Sequence, residues 1–505
     1  MSGSGNTTAP SGREDLSFSD PRPRLVPGLT LAHSYLQPDR IGECCPIDPH
    51  APGPYVFGSE REGTAPRAHF FQIRAGEIID GGPLTGKNLS RDQFRAEAEG
   101  DSLRIENTGE TTLSCNFTEV PKGQVFMARP GDALHLHHNC VLLVGQTPIS
   151  LAPPNHRLLP LHSFGEPDVM DVTGESWRAW EVRRVILAAV ATGRHVFILG
   201  PTGTGKELVA RAIHRMSHRF KAPFIAANGA AFSSEITAYQ LFGNRKDAPN
   251  VGSPASLGFF GQAGPGVFFL DEIGEMAPSL QAALLRALEG GYTRIGESHE
   301  TRTECLVICA TNRAATFIKQ DVLTRLGVTL TTVSLDHRRE DLALIVRAML
   351  LKRAREDKTG AAFAKQYVRR DSRGWEHVPV HSSLILGLLR SPLQGNVREM
   401  DNILTESIMA AEGELPLRWP ASRPFPAAVP LDVPTEAPPP SANELLAGLG
   451  GRAPDASRAR VVEALAACGG NIGKTAKYLR ITPRELYRLR EKYGLLDPED
   501  PEKKD

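Results

Sequence analysis

The chain has 505 residues, of which 58 are Lys or Arg and 58 are Asp or Glu, so its formal net charge is zero. This length is enough for about three domains, and the balanced charge indicates no polyanionic partner until single segments are considered. No run of about 18 apolar residues is present and the N-terminus lacks the apolar core of a secretory signal, so the sequence predicts a cytoplasmic protein without a membrane partner. The seven cysteines are scattered, which indicates reduced thiols.

Changes in composition predict several segments in chain order. Residues 1–25, rich in Ser, Gly, Pro and charge, are predicted to be disordered. Residues 26–147 contain short apolar runs such as SLRIEN and VLLVG between turn residues, which is typical of an all-β sandwich. A linker is predicted over 148–168. From 169 to 412 strand-like and helical patterns alternate, which indicates an α/β domain with a parallel sheet.

The C-terminal part is predicted to be a linker followed by a small all-α domain. The linker covers 413–455 and holds nine prolines between Pro416 and Pro440, so its proline-rich part reaches roughly 75 Å if it is extended. The helical domain is predicted over 456–496, and 497–505 form a charged tail.

Four apolar runs of the α/β domain end in polar or glycine residues. HVFILG leads into a glycine-rich loop, PFIAAN ends in Asn228, VFFLDE ends in Asp271 and Glu272, and LVICATN ends in Thr311 and Asn312. Continuous apolar runs suit strands that are buried on both faces, and the carboxyl ends of parallel strands form the usual ligand crevice. We therefore expect these side chains to lie along one edge of the sheet.

The glycine-rich loop follows the G-x-x-x-x-G-K pattern of phosphate-binding loops. It consists of Gly200, Pro201, Thr202, Gly203, Thr204, Gly205 and Lys206. Backbone N–H groups, a helix N-terminus and the lysine ammonium would bind the phosphates of ATP. The alternative is a glycine-lysine turn that arose by chance.

The acidic strand end predicts the chemistry of hydrolysis. Glu207 stands where a metal-binding Ser or Thr usually follows the lysine, which shifts Mg²⁺ binding onto Asp271. Glu272 would then polarise the attacking water. The alternative is that Asp271 and Glu272 cap the helical stretch that follows them.

These motifs resemble the AAA+ domain of bacterial enhancer-binding proteins, which activate sigma-54 RNA polymerase. The resemblance covers Val169 to Glu412 and rests on GPTGTGKELVARAIHRM, LFG, FFLDEIGEM, ATNR and SPLQGNVREMDNIL. It implies an ATPase that assembles from dimers into a hexameric ring. Glu207 after the lysine is also that family's form.

The resemblance implies roles for further residues. Asn228 matches the residue that links nucleotide state to Glu272, Thr311 and Asn312 match sensor I, and Arg398 matches sensor II. A second set of residues would act on the neighbouring subunit. Arg325 matches an arginine finger, for which an ordinary surface salt bridge is the alternative. Lys319 replaces a second arginine, which keeps the charge but loses the planar fork.

The C-terminal helical domain carries nine basic and three acidic residues between Ser457 and Tyr493, a local net charge of +6 from nine minus three. Such a charge favours phosphate contacts with DNA. The stretch GGNIGKTAKYLRITPRELYRLREKYG resembles a Fis-type helix-turn-helix. Candidate base contacts are Arg484 and Arg488, and candidate phosphate contacts are Thr482, Arg490 and Lys492. The alternative is a helical hairpin that only solvates its charges.

The N-terminal β-domain resembles a forkhead-associated (FHA) domain, a reader of phosphothreonine. Ser90 and Arg91 match that family's pattern, and Asn116 is a candidate for holding the peptide backbone. Ser59 replaces the usual arginine and Gln93 the usual histidine. A phosphothreonine protein or a Ser/Thr kinase is therefore a candidate partner, beside a purely structural or protein-contact role.

Two histidines of this domain share the strand LHLHHN. His135 and His137 lie two residues apart and so point to one face of a strand, but no acidic or cysteine partner is close in sequence. We interpret them as half-buried sheet residues.

The loop between QLFG and GFF has the length that the enhancer-binding family uses to contact the sigma factor, but its tip differs. The resemblance implies the sequence GAFTGA there, whereas residues 247–252 read DAPNVG, with Pro249 in place of the aromatic residue and Asn250 in place of the threonine. Proline is stiff and offers little contact area.

Three hypotheses about function remain. The first is an ATP-dependent, DNA-binding transcription regulator that acts on sigma-54 RNA polymerase holoenzyme under the control of the FHA-like domain. The second is a DNA-binding regulator or repressor of this family that does not engage sigma-54. The third is a phosphorylation-responsive scaffold with a vestigial ATPase.

Overall fold

The structure is a computed structural model. It describes residues 23–426 except 60–66, 75, 86–88, 138–139, 152–161, 233–236, 249, 357–365 and 371–373, together with residues 475 and 486. Residues 1–22, most of the second predicted linker and nearly all of the C-terminal helical domain lie outside the described residues. The chain divides into two compact units, Met1–Ala437 and Pro438–Asp505, and the helices and strands named below lie in the first.

The N-terminal domain is the β-sandwich that the sequence predicts. Its strands are β1 (Leu25–Ser34), β2 (Cys44–Pro46), β3 (Tyr55–Phe57), β4 (Phe71–Arg74), β5 (Glu77–Asp80), β6 (Phe94–Glu99), β7 (Ser102–Asn107), β8 (Leu113–Cys115), β9 (Thr118–Val120), β10 (Val125–Ala128), β11 (Ala133–Leu136) and β12 (Cys140–Pro148). The larger sheet has the order β5-β4-β2-β1-β12-β11-β8-β9 and the smaller one β10-β7-β6-β3. Phe57 and Phe94 stack in the core between them, with ring centroids 4.4 Å apart. Burial of each ring stabilises the fold by about 1.5–3 kcal/mol.

The central domain has the parallel sheet that the alternating pattern predicts. Its elements are α1 (Trp177–Thr192), β13 (Val196–Leu199), α2 (Lys206–Met216), β14 (Phe224–Asn228), α3 (Thr237–Phe242), α4 (Gly258–Ala263), β15 (Val267–Asp271), α5 (Pro278–Leu288), β16 (Gly291–Tyr292), β17 (Thr301–Arg302), β18 (Leu306–Thr311), α6 (Gln320–Leu326) and β19 (Val328–Thr331). The parallel sheet has the order β14-β15-β18-β13-β19, and β16 pairs with β17 in a separate ribbon. The three central strands of the parallel sheet, β13, β15 and β18, are almost wholly apolar and buried, as expected when helices cover both faces.

A helical lid follows the parallel sheet. Its elements are α7 (Leu342–Glu356), a small ribbon of β20 (Arg369–Arg370) and β21 (Glu376–His377), α8 (Ser382–Arg390) and α9 (Asn396–Ala411). Leu417 is fully buried in the lid core and Trp419 packs against it, although both lie in the segment 413–455 that the sequence predicts to be a linker.

The outer face of the larger sheet is buried against this lid. Strand pairing aligns His33 and His135 on either side of Val141, so the three side chains point to the same face. Val141 belongs to one apolar cluster with Leu342 of α7 and Leu386 of α8. The sandwich and the lid therefore share a hydrophobic core, which we call the sandwich–lid core.

Buried polar contacts reinforce this arrangement. The Asp341 carboxylate accepts hydrogen bonds from the backbone N–H groups of Glu175 and Ser176 at 2.8 and 2.9 Å, and from the Ser176 hydroxyl at 2.6 Å. The Arg74 guanidinium of β4 lies 3.7 Å from the Glu175 carboxylate, and it donates to the carbonyl oxygen of His162 at 2.6 Å. Loss of one member would leave a buried charge without its partner, which is strongly destabilising.

We expect acidification to weaken the fold through His33, which is 4% exposed. Burial, with smaller contributions from His135 and His381, lowers the pKa of His33 from 6.5 to about 3. The neutral imidazole stabilises the folded state fully above pH 6.5, and this contribution falls as the pH drops toward 3, because only the unfolded chain takes up the proton there. The loss is about 1.4 kcal/mol per pH unit.

Denaturant unfolding at about pH 7.5 and about pH 5.5 measures this effect. The free energy of unfolding should fall by about 1.4 kcal/mol more for the natural protein than for His33→Gln. His50→Gln, at an exposed position, should retain the natural pH dependence. Equal pH dependence of the natural protein and His33→Gln would contradict the prediction.

Candidate functional site

The strand ends that the sequence singles out lie along one edge of the parallel sheet. Asn228 at the end of β14 pairs in register with Asp271 at the end of β15. Leu199 at the end of β13 pairs with Thr311 at the end of β18. The phosphate loop starts directly after Leu199, so the loop and these side chains face one crevice.

The phosphate loop closes around the Lys206 side chain. Gly203 and Gly205 have φ values of 77° and 89°, which residues other than glycine rarely adopt. Lys206 opens helix α2 and is only 6% exposed. Its ammonium donates to the carbonyl oxygens of Gly200 at 3.0 Å and Pro201 at 3.2 Å. The cation is therefore held inside the loop, at the N-terminus of a helix, where an anion binds favourably.

Glu272 faces this loop across the crevice. One of its carboxylate oxygens lies 4.0 Å from the Lys206 ammonium, and the other accepts a hydrogen bond from the backbone N–H of Asn312 at 3.2 Å. Its φ of 52° is a strained conformation for glutamate, and such strain is often found at active sites. The Asn312 amide in turn donates to the Thr202 hydroxyl at 3.0 Å. Glu272, Asn312 and the phosphate loop thus form one connected group.

The Asn228 side chain caps the turn that follows β14, and this turn lies against the backbone of Glu272. Its side-chain oxygen accepts a hydrogen bond from the N–H of Ala230 at 2.9 Å and so closes the turn Gly229–Ala231. A Cβ on Gly229 would lie 2.7 Å from the carbonyl oxygen of Glu272. Glycine therefore allows the two backbones to approach, and this contact connects Asn228 to the position of Glu272.

The donor set fits Mg²⁺ bound through one carboxylate. Glu207 is half exposed and pairs with Arg211, with a nitrogen–oxygen distance of 2.7 Å. Asp271 lies at the edge of the crevice, where one of its oxygens accepts the N–H of Glu272 at 3.0 Å. Mg²⁺ usually keeps several water ligands and takes one or two carboxylates beside the phosphates, so Asp271 suffices on the protein side.

The lid touches the phosphate loop through residues that the sequence analysis did not single out. The Asn396 amide donates to the carbonyl oxygen of Thr202 at 3.0 Å, and the N–H of Val397 donates to that of Gly203 at 3.2 Å. The Thr332 hydroxyl lies 2.7 Å from that of Thr204. Asn396 lies in the same GNVRE motif as Arg398, and its place in this motif was the one sign in the sequence that it could belong to the site.

The residues expected to act on a neighbouring subunit are on the surface of the chain. Arg325, in the last turn of α6, forms an exposed ion pair with Glu289 at 2.8 Å. Lys319 precedes that helix and is exposed. Arg398, which was expected at the nucleotide site of its own subunit, is also exposed, on the first turn of α9. The ion pair of Arg325 is the alternative that the sequence left open, and a surface pair of this kind contributes little to stability.

The loop with the altered tip is held together internally by the Asn244 side chain. This side chain is fully buried, and its amide donates at 2.8 Å to the carbonyl oxygens of Arg245, Ala248 and Pro254. At the tip the Asp247 carboxylate accepts the N–H of Gly252 at 2.9 Å. Val251 is 96% exposed there. The loop is therefore hydrogen-bonded at its base and across its tip, and it exposes the Val251 side chain, while Pro249 lies outside the described residues.

The candidate phosphopeptide residues Ser90, Arg91 and Asn116 do not share the same neighbours in the structure. The Ser90 hydroxyl accepts hydrogen bonds from the N–H groups of Glu110 at 3.1 Å and Thr111 at 3.3 Å, and Arg91 is exposed beside it. Thr111 was missed in the sequence. Asn116 lies at the contact with the lid, where its side-chain oxygen accepts from Arg390 at 3.1 Å.

The candidate DNA contacts lie outside the described residues. They are Thr482, Arg484, Arg488, Arg490 and Lys492. Among the helices that the structure does describe, none is long and apolar enough to cross a bilayer.

Two family models match this chain in succession. Residues 172–333 match the Sigma-54 interaction domain, and residues 453–493 match the Fis family of bacterial regulatory proteins. The Nif-specific regulatory protein of Bradyrhizobium diazoefficiens is 31% identical over 392 residues, which are 69% of this chain and 63% of that protein. The regulator NtrC of Klebsiella pneumoniae is 34% identical over 275 residues, 53% of this chain and 55% of that protein. This chain belongs to the sigma-54 enhancer-binding proteins.

A further curated relative and a solved structure are also similar to this enhancer-binding protein. The anaerobic nitric oxide reductase transcription regulator NorR of Aeromonas hydrophila is 33% identical over 335 residues, 65% of this chain and 64% of that protein. The chain thus spans less than two thirds of the length of the curated relatives it matches. The crystal structure of NtrX from Brucella abortus in complex with ADP is similar at 24% identity and a TM-score of 0.42, over 64% of this chain and 69% of that one.

We expect Asn244→Ala to destabilise the enhancer-binding protein by about 1–3 kcal/mol, because buried carbonyl groups would lose their donor. Denaturant unfolding measures the loss, and limited proteolysis should cut the loop between Phe242 and Gly258 faster. Asn250→Ala is the matched control, since the hydrogen bond in which Asn250 takes part uses its backbone oxygen. Equal unfolding midpoints for the two variants would contradict the role of the Asn244 amide.

Proposed function

We propose that this enhancer-binding protein hydrolyses ATP to ADP and phosphate and uses the energy to regulate transcription from promoters read by sigma-54 RNA polymerase. The observation that carries the proposal is the connected group formed by Lys206, Glu272, Asn312 and the phosphate loop at one edge of the parallel sheet. A cation held at a helix N-terminus favours phosphate, and a carboxylate 4.0 Å from it is placed to act on water at the terminal phosphate.

In the proposed mechanism the phosphates of ATP bind the N–H groups of the loop and the Lys206 ammonium. Glu272 accepts a proton from the attacking water, and Asn312 orients the Glu272 carboxylate through its backbone N–H. Mg²⁺, held by Asp271, would neutralise the charge of the phosphates. Thr311 and Arg398 complete the nucleotide site.

Ring assembly is the second part of the proposal. Arg325 and Lys319 are exposed at either end of α6, where a neighbouring subunit can be reached. Arg325 would leave Glu289 and stabilise charge at the neighbour's ATP, which makes hydrolysis depend on assembly from dimers into a hexamer. A lysine at 319 supplies charge without bidentate geometry, so we expect slower hydrolysis than with arginine.

DNA is the proposed partner of the C-terminal domain. The match of residues 453–493 to the Fis family and the local charge of +6 support binding at upstream promoter elements. Arg484 and Arg488 would contact bases, while Thr482, Arg490 and Lys492 would contact phosphates.

The sandwich is proposed to be the sensory part. Its two-sheet fold and the cluster of Ser90, Arg91 and Thr111 support an FHA-like site for a phosphothreonine protein or a Ser/Thr kinase. Asn116 would contribute to that site only if its contact with Arg390 opened, because its side-chain oxygen is already an acceptor there. Phosphopeptide binding and docking on the lid would then compete.

One observation favours a second candidate function. The tip Asp247–Gly252 presents valine rather than an aromatic residue to a partner. This favours a DNA-binding regulator of the same family that does not engage sigma-54. The scaffold hypothesis with a vestigial ATPase is disfavoured by the intact geometry around Lys206 and Glu272.

We expect Glu272→Ala to reduce the steady-state rate of ATP hydrolysis about 100-fold or more, because the carboxylate placed to take the proton of the water would be lost. Binding of a fluorescent ATP analogue should persist, since the phosphate loop is unchanged. Glu304→Ala, which removes an exposed carboxylate from the same domain, is the control and should hydrolyse ATP at the natural rate. Natural rates in both variants would place catalysis elsewhere, and absence of hydrolysis by the natural protein would favour the scaffold.

In vitro transcription tests the regulatory part. With sigma-54 holoenzyme on a promoter limited by open-complex formation, the natural protein should give an ATP-dependent transcript and Glu272→Ala should give none. A variant with residues 247–252 replaced by GAFTGA separates the two regulator hypotheses. A transcript from that variant but none from the natural protein would support the regulator that does not engage sigma-54.

A further inference from the structure

Asn396 connects the phosphate loop to the lid by two hydrogen bonds in opposite directions. Its amide nitrogen donates to the carbonyl oxygen of Thr202 at 3.0 Å, and its amide oxygen accepts from the backbone N–H of Leu335 at 2.8 Å. The residue is 2% exposed, and its bond to Leu335 is buried, whereas its bond to Thr202 lies at the partly exposed phosphate loop. A buried group that loses such a bond has no water to replace it.

The backbone at this position restricts which residues can stand there. Asn396 has a φ of 51°, in the left-handed region that glycine, asparagine and aspartate tolerate best. A Cβ on Gly203 would come within 2.2 Å of the Gly395 carbonyl oxygen, so the phosphate loop and the start of α9 are in direct backbone contact. The turn before α9 is therefore shaped to reach the loop.

The two partners of Asn396 belong to different parts of the molecule. The Thr202 hydroxyl accepts a hydrogen bond from Asn312, whose backbone N–H donates to Glu272, so the residue whose carbonyl Asn396 contacts is linked to Glu272 through Asn312. Leu335 is buried in the sandwich–lid core, in one apolar cluster with Val141 of β12 and Leu342 of α7. Asn396 is thus hydrogen-bonded both to the phosphate loop and to a residue packed in this core.

We propose that Asn396 is a positioning residue that couples the phosphate loop to the sandwich–lid core, so that nucleotide binding and the packing of the sandwich on the lid are energetically linked. The inference rests on the proposed binding of ATP and goes beyond it. Phosphate entry reorients the loop around Thr202, Asn396 follows, and the Leu335 segment shifts against the sheet. By reciprocity, a ligand that loosens the sandwich changes the affinity for nucleotide by the same factor.

Hydrogen exchange of the full-length protein tests the coupling, with and without a saturating non-hydrolysable ATP analogue and Mg²⁺. In the natural protein we expect exchange in residues 140–148 of β12 and 342–356 of α7 to change about fivefold or more on binding. Residues 102–107 of β7, in the smaller sheet, should not change. Saturation is established for each variant by titration with a fluorescent ATP analogue.

Two variants and one control separate coupling from stability. Asn396→Gly keeps the left-handed backbone but loses both hydrogen bonds. Asn396→Asp keeps an acceptor for Leu335 but places a carboxylate oxygen against the Thr202 carbonyl. Asn402→Asp makes the same chemical change at an exposed position of α9 and should behave as the natural protein.

In both Asn396 variants we expect the analogue to bind while the change in exchange at 140–148 is lost. A nucleotide-dependent change that survives in both would overturn the role of Asn396. Binding of the analogue to the natural protein without any change at 140–148 would overturn the coupling and leave the proposed ATP site standing. Failure of the natural protein to bind the analogue would overturn the proposed ATP site and the coupling together.

Discussion

The architecture of the first compact unit depends on the need to cover both faces of the larger sheet. Strand β1 is buried along almost its whole length, which happens only when a sheet is packed on two sides. The smaller sheet covers one face and the helical lid covers the other. Each buried apolar side chain at the lid contributes about 1.5–3 kcal/mol, so many such residues outweigh the cost of ordering the contact. The sandwich is therefore part of the packing of the helical lid.

The nucleotide site shows how much a pattern of strand ends can predict. Parallel strands that finish in Asn228, Asp271 and Thr311 must bring these residues to one edge, whatever the helices between them do. The glycine pattern before Lys206 likewise determines the local backbone, because few residues tolerate the φ values of Gly203 and Gly205. The backbone geometry of the phosphate loop and the alignment of the strand ends could thus be predicted from the sequence.

Contacts between segments that are distant in sequence could not be predicted in the same way. Asn396 meets Thr202 across 194 positions of chain, and nothing in the spacing of either segment indicates this. The contact of Asn116 with Arg390 is a similar case, because a candidate peptide-binding residue of the sandwich accepts a hydrogen bond from the lid. One signal was present, however. VLLVG in β12 is a continuous apolar run rather than an alternating one, and such a run indicates burial on both faces. It could have revealed that the sandwich has a second partner.

Shared packing between the sandwich and the lid also limits how such regulators diversify. Sensory domains are often regarded as exchangeable parts, joined to a motor by a linker and replaced by gene fusion. Here a recombination event that substituted another domain before residue 148 would expose the apolar surface of α7 and α8 to water. Inheritance of this sandwich is thus tied to inheritance of this lid, and substitutions in β12 and in α8 are expected to accumulate in concert.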